Sequence, residues 1–183
     1  MSEKWRNVWN SKPRVDDAVL EFLLKIDGFD TGPGSFSARD WRKYTSHIYK
    51  LLNIEPKDSI YEVGCGAGAF LYPLIAKGNA VSGIDYSREL VYWGNKVLED
   101  ASLVVGDAAK METEIKFDVL VSHGVFLYFS SLEYAKTVTK LMISKSIKSA
   151  NILDVNDYEK KDEYEEERIK IFCEKGGSRE DYL

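Results

Sequence analysis

Between Ser59 and Ser87 the chain reads SIYEVGCGAGAFLYPLIAKGNAVSGIDYS, and here residue type and spacing point to a particular chemistry. An apolar run carrying Ile60, Tyr61 and Val63 breaks into Gly64, Gly66 and Gly68. A helix-like segment follows, and a second apolar run ends in Asp85. A strand, glycine loop, helix and acid-ended strand form a unit suited to a nucleoside. The glycines let the backbone approach the ligand, the helix N-terminus offers unpaired N–H groups, and the acid can accept both ribose hydroxyls. The stretch is read as a nucleotide-type cofactor site.

The surrounding pattern supplies elements to hold such a site. Val15, Val19, Phe22, Leu23 and Ile26 recur at helical spacing, and DGFDTGPGSFS, with Gly28, Gly32, Pro33 and Gly34, must be a loop. Ser37 followed by Asp40 predicts a helix start, with Trp41, Tyr44, Ile48 and Leu52 on one face. His47 on the same helix reads as a surface or packing residue. Further strands are predicted at 80–84, 103–105, 117–122 and 150–155, with helices at 88–98 and 132–144. Pro73 falls inside the first crossover helix, where a start near Gly68 would leave its missing N–H in the first turn. Strands alternating with helices predict an α/β fold with a doubly wound, mainly parallel sheet and helices on both faces.

Composition bounds what this domain can be. With 183 residues, 44% of them hydrophobic, the chain can bury one substantial core, preceded by an aromatic-studded opening at Trp5 and Trp9. No apolar run is long enough for a membrane span, and MSEKWRNVWN is too polar for a signal peptide, so a cytoplasmic protein with no membrane partner is expected. Cys65 and Cys173 lack the density of a disulfide scaffold. A net charge of -5 gives no footprint for nucleic acid, and a small acceptor is expected instead. From Asp154 onward DVNDYEKKDEYEEERIK predicts a highly charged, solvated helix. Asp154, Asn156 and Asp157 carry magnesium-type oxygens, but acids after a last parallel strand are ordinary, and no metal is expected.

Four stretches in order, EVGCGAG ending at Gly68, GIDYS ending at Ser87, VVGDA ending at Ala108 and FDVLVSHGVFLYF from Phe117, resemble the class I S-adenosylmethionine-dependent methyltransferases. The resemblance spans about residues 37–155, within an α/β domain read as 37–157, with an N-terminal helical or lid segment at 1–36 and a charged helix and tail at 158–183. E-x-G-x-G-x-G differs from the dinucleotide fingerprint in its third glycine, which argues against the alternative of an NAD-type oxidoreductase. The resemblance implies S-adenosyl-L-methionine as cofactor, its methionine end over Gly64, Cys65 and Gly66, its amino group facing Glu62. It implies ribose on Asp85, adenine packed by Tyr86, and the adenine edge read by Asp107 and the Ala108 amide. Ser122 and His123 would line the transfer site with Gly124. Trp41 and Tyr44 would form an aromatic lid. His123 is the expected base if the acceptor must lose a proton, whereas Cys65 has no neighbouring base to activate it. Phe126, Tyr128 and Phe129 read as packing aromatics, with Tyr128 the candidate among them for touching an acceptor.

Two departures from the family pattern carry expectations of their own. SKSIKSANIL, leading into the fifth strand, has no glycine. The family's closing antiparallel hairpin is also missing, since CEKGGSREDYL is too short for it, so the chain reads as a truncated or abbreviated member in which either a partner subunit, as in a homodimer, covers the exposed sheet edge or activity is impaired. A small-molecule methyltransferase is the leading reading. A catalytically silent S-adenosylmethionine-binding module acting through protein association is the second.

Overall fold

The computed structural model describes residues 16–29, 36–155, 157–174 and 176–179. Trp5, Trp9, Gly32, Pro33, Gly34 and Asn156 lie outside the described residues. In chain order the elements are α1 (Asp17–Ile26), α2 (Ala38–Leu51), β1 (Ser59–Val63), α3 (Tyr72–Ile75), β2 (Ala80–Asp85), α4 (Arg88–Val97), β3 (Ala101–Val105), β4 (Phe117–His123), α5 (Leu132–Lys145), β5 (Ser146–Leu153) and α6 (Lys161–Glu174).

The strands form one sheet in the order β3-β2-β1-β4-β5, and every pairing is parallel. Strand order reverses between β1 and β4, so the crevice beyond their C-terminal ends is where such a sheet accepts a ligand. Alternation along the strands feeds two apolar layers. Ile60, Val81, Leu103, Val119 and Val121 face a layer shared with Leu20, Leu23 and Leu24 of α1, Trp41 of α2 and Val91 of α4. Tyr61, Val63, Ile84 and Leu120 face Val138 and Met142 of α5. Helices therefore cover both faces.

Local signals explain the boundaries. Asp16 caps α1 through the amides of Ala18 and Val19, and Ser37 caps α2 through that of Asp40. The crossover helix is far shorter than its sequence suggests. Gly64, Gly66 and Gly68 all take positive φ, which no helix tolerates, so regular helix is delayed to the single turn of α3, with Pro73 in that turn. β5 begins at Ser146 rather than Ala150, directly after α5, with no connecting residues in which a glycine would be needed. On α4, Gly94 has no room for a side chain: a Cβ there would lie 2.5 Å from Leu103 Cδ1 and 2.8 Å from the Ala67 carbonyl oxygen. Gly94→Ala is expected to destabilise the fold by about 1–3 kcal/mol, because the backbone it meets cannot retreat as a side chain could. Urea denaturation measures this, and a neutral result would show that α4 shifts freely.

The charged C-terminal helix α6 forms, but it is not wholly solvated. Ile169 is buried, and Arg168, Ile171 and Phe172 line the cleft described below. No helix among the described residues is long and apolar enough to cross a membrane.

Candidate functional site

At the C-terminal ends of β1, β2 and β4 lies an open cleft of about 1560 Å³. Its floor is the glycine loop. The amides of Gly64 and Cys65 both donate to the Ile84 carbonyl, at 2.8 and 3.1 Å, which ties the loop to β2. Asp85, ending β2, accepts from the Gly66 amide at 2.9 Å and the Ser87 amide at 2.8 Å. One oxygen serves each amide, so both retain lone pairs for further donors.

Glu62 faces the same cleft from β1 and is only 3% exposed. Its Oε2 has no hydrogen-bond partner among the described residues. Burial, then the charges of Asp27 and Asp85, push its carboxyl well above the usual range. Asp27, the residue capping the C-terminal end of α1, reaches across to the loop and accepts from the Ala67 amide at 2.7 Å and the Ala69 amide at 3.1 Å. Burial nevertheless pushes it up to about 6.

On the second wall Asp107 accepts from the Tyr134 hydroxyl at 2.5 Å and from the Ala109 amide at 2.9 Å. The Tyr134 hydrogen bond is the main reason its carboxyl sits below the usual range. Ala108 lines the cleft beside it, and Tyr86, 85% exposed, stands on the rim. Across the cleft the Tyr44 hydroxyl lies 2.8 Å from His123 Nε2. The His123 ring stacks on Phe70 at 5.4 Å and packs against Phe29 and Trp41. Burial lowers its pKa, opposed by Asp154, and burial drives Tyr44 up to about 12. Both are therefore neutral near pH 7. Gly124 and Asp154 complete this wall.

Two expected site residues are not in the cleft. Trp41 is fully buried and donates from Nε1 to the Ala69 carbonyl at 2.9 Å, so it supports the loop from behind and is no lid. Ser122 points the other way along β4, where its hydroxyl donates to the Val63 carbonyl at 2.9 Å. The period of two along a strand puts it and His123 on opposite faces. Tyr44, one helical turn from Trp41, reaches the cleft. Cys65 lines it, but burial pushes its thiol well above the ordinary value, which keeps it unreactive. His47 is exposed on α2. Among the described residues no group of three His, Cys, Asp or Glu side chains is placed to hold a metal ion.

Sequence reasoning missed Asp27, Phe29 and Tyr134. Asp27 did leave a signal, since an acid at a helix C-terminus opposes the helix dipole and calls for compensation elsewhere. Phe29 and Tyr134 carry no such mark.

Residues 60–143 match the family described as methyltransferase domain. The chain is 34% identical over 100 residues to the malonyl-[acyl-carrier protein] O-methyltransferase of Priestia megaterium, covering 52% of this chain and 35% of that protein. It is 24% identical over 160 residues to a nonribosomal peptide synthetase of Emericella nidulans, covering 81% of this chain and 6% of that protein. The chain thus spans well under half the length of these curated relatives. Among solved structures, a S-adenosylmethionine-dependent methyltransferase from Clostridium acetobutylicum shares the fold with a TM-score of 0.59 and 18% identity, over 76% of this chain and 57% of that one.

Proposed function

We propose, on the premise that this chain carries a class I S-adenosylmethionine-dependent methyltransferase domain, that it binds S-adenosyl-L-methionine in the cleft and transfers the methyl group to a small-molecule acceptor. One observation carries the reading. Glu62, Asp85 and Asp107 line one cleft from the C-terminal ends of β1, β2 and β3, around the glycine loop. The residues fit the cofactor: Asp85 keeps lone pairs for the ribose, and Glu62 keeps a buried oxygen that needs a donor.

When bound, the cofactor supplies a methyl group already activated by its sulfonium. The protein's work is then alignment and exclusion of water. Asp85 holds Gly66 and Ser87 in the geometry that receives the ribose, and Tyr134 fixes the Asp107 carboxylate toward the adenine edge. Phe29 and Phe70 keep water from the inner cleft, and aromatic faces there favour a cation. His123, neutral and joined to the Tyr44 hydroxyl, can take a proton from an acceptor that must lose one.

Isothermal titration with S-adenosylmethionine, S-adenosylhomocysteine and NAD tests the reading. Binding of the first two without NAD is expected, and NAD binding alone would replace this function with hydride transfer. Transfer of tritiated methyl to a panel of small hydroxyl and amine acceptors then separates an enzyme from a silent binding module. In His123→Gln, transfer to hydroxyl acceptors is expected to fall by about 10²-fold, within the usual range for a general base. An undiminished rate would remove His123 from the chemistry.

A further inference from the structure

The three carboxylates at the inner end of the cleft pose a problem of charge. Asp27, Glu62 and Asp85 all line it, and among the described residues no lysine or arginine forms an ion pair with any of them. Asp85 accepts one backbone amide on each oxygen. Glu62 Oε2 is buried and has no partner among the described residues. A buried polar oxygen without a partner is costly, and it is retained where something else completes it.

Asp27 comes from outside the segment that matches the methyltransferase domain, carried in by α1. It sits directly over the loop, for a Cβ built on Gly66 would lie 2.4 Å from its Oδ1. Its two oxygens each take one loop amide, and a carboxylate has about four acceptor sites, so half its capacity remains. A backbone-capping role would account for the two amides alone. It would leave the unpartnered Oε2 of Glu62 and the remaining acceptor sites of Asp27 lining one cleft without a donor.

We infer that Asp27 and Glu62 together form a dicarboxylate seat for an ammonium group, and that Asp27 is a cofactor-binding residue which selects ligands carrying a primary amine at the end of the thioether chain. The inference rests on the methyltransferase reading and adds to it a residue and a selectivity. The ammonium supplies up to three N–H donors, enough to meet Glu62 Oε2 and the spare acceptor sites of Asp27.

Three adenosine thioethers test this by titration calorimetry at pH 7.5: S-adenosylhomocysteine, 5′-(3-aminopropylthio)-5′-deoxyadenosine, which keeps the amine and lacks the carboxylate, and 5′-methylthioadenosine, which lacks both. The wild-type protein is expected to bind the aminopropyl compound at least about tenfold more tightly than the methylthio compound, as befits one charge-assisted hydrogen-bonded contact. Asp27→Asn is expected to reduce that ratio to about threefold or less, the lost loop contact weakening both compounds alike, and Glu62→Gln to reduce it likewise. Methylthioadenosine binding also reports that each variant keeps its loop. A ratio near one in the wild type, or a ratio preserved in Asp27→Asn, overturns the seat. So does an equal loss for both compounds, which would make Asp27 a loop cap only. If the wild type binds none of the three, the methyltransferase reading fails and this inference with it. If S-adenosylhomocysteine binds but the amine confers no preference, only the inference fails.

Discussion

Asp85→Ala is expected to weaken S-adenosylhomocysteine binding by at least about a hundredfold. Two losses combine. The carboxylate is the acceptor proposed for the ribose hydroxyls, and hydrogen bonds to a charged group are worth about 1.5–3 kcal/mol each, so two of them alone approach three decades in affinity. The same side chain accepts from Gly66 and Ser87, and its removal leaves both amides without their partner and frees the middle of the glycine loop. Asp85→Asn separates these terms. The amide keeps one acceptor oxygen, so it can still hold one of the two backbone N–H groups while presenting a donor to the other. An intermediate loss of roughly tenfold is expected for it. Thermal unfolding without ligand reads the loop contribution, and calorimetry reads both. If Asp85→Ala binds S-adenosylhomocysteine as the wild type does, the nucleoside does not lie at the end of β2 and the site must be sought elsewhere in the cleft.

Such a prediction is possible because parts of this site are written in short spans. Glycines that must take positive φ, and acids placed at strand ends, are local features, and the Glu62–Asp85 unit follows from them. Element type was legible for the same reason, since the apolar period changes from two to 3.6 wherever strand gives way to helix. What was not legible depends on the meeting of distant segments. Trp41 and Tyr44 share a helix face in the sequence, yet the depth of α2 against the loop sends one ring under Ala69 and the other to His123. Nothing local distinguishes them. Ser122 illustrates the opposite failure: it lies beside His123 in sequence, and the pleat alone turns it away. Asp27 is separated from the amides it binds by about forty residues, and only the packing of α1 through Leu20, Leu23 and Leu24 brings it there. The short crossover helix was hidden because the strain of three positive-φ glycines had to be absorbed before regular helix could begin.

The crowding of acids over the loop also makes a second large prediction, in the pH dependence of the ligand-free protein. Asp27 ionises near 3.8 when unfolded and near 6 when folded, so between these values the folded state holds more protons. Its stability must therefore fall as pH rises through that window and level off above about 6. A shift of this size corresponds to about 3 kcal/mol in full, of which about 1 kcal/mol is expressed between pH 7.5 and pH 5. Glu62, raised in the same direction by burial and by Asp27 and Asp85, adds to the slope. His123 works against it, because burial lowers its pKa and stability is lost as pH falls below the value of an unfolded histidine. Asp154 opposes that lowering, Tyr44 is neutral throughout the range, and Cys65, raised by burial, stays a thiol. The diagnostic quantity is therefore the difference between proteins rather than the sign of one curve. Urea denaturation at pH 5 and pH 7.5 is expected to show Asp27→Asn gaining stability relative to wild type at the higher pH, by about 1 kcal/mol more than at the lower. Saturating S-adenosylhomocysteine should erase that difference, because an ammonium beside the two carboxylates stabilises their ionised forms and removes the penalty that made them basic. Equal effects of Asp27→Asn at both pH values would mean that Asp27 is ionised at no cost, and the case for a charge held in reserve for a cationic ligand would fall.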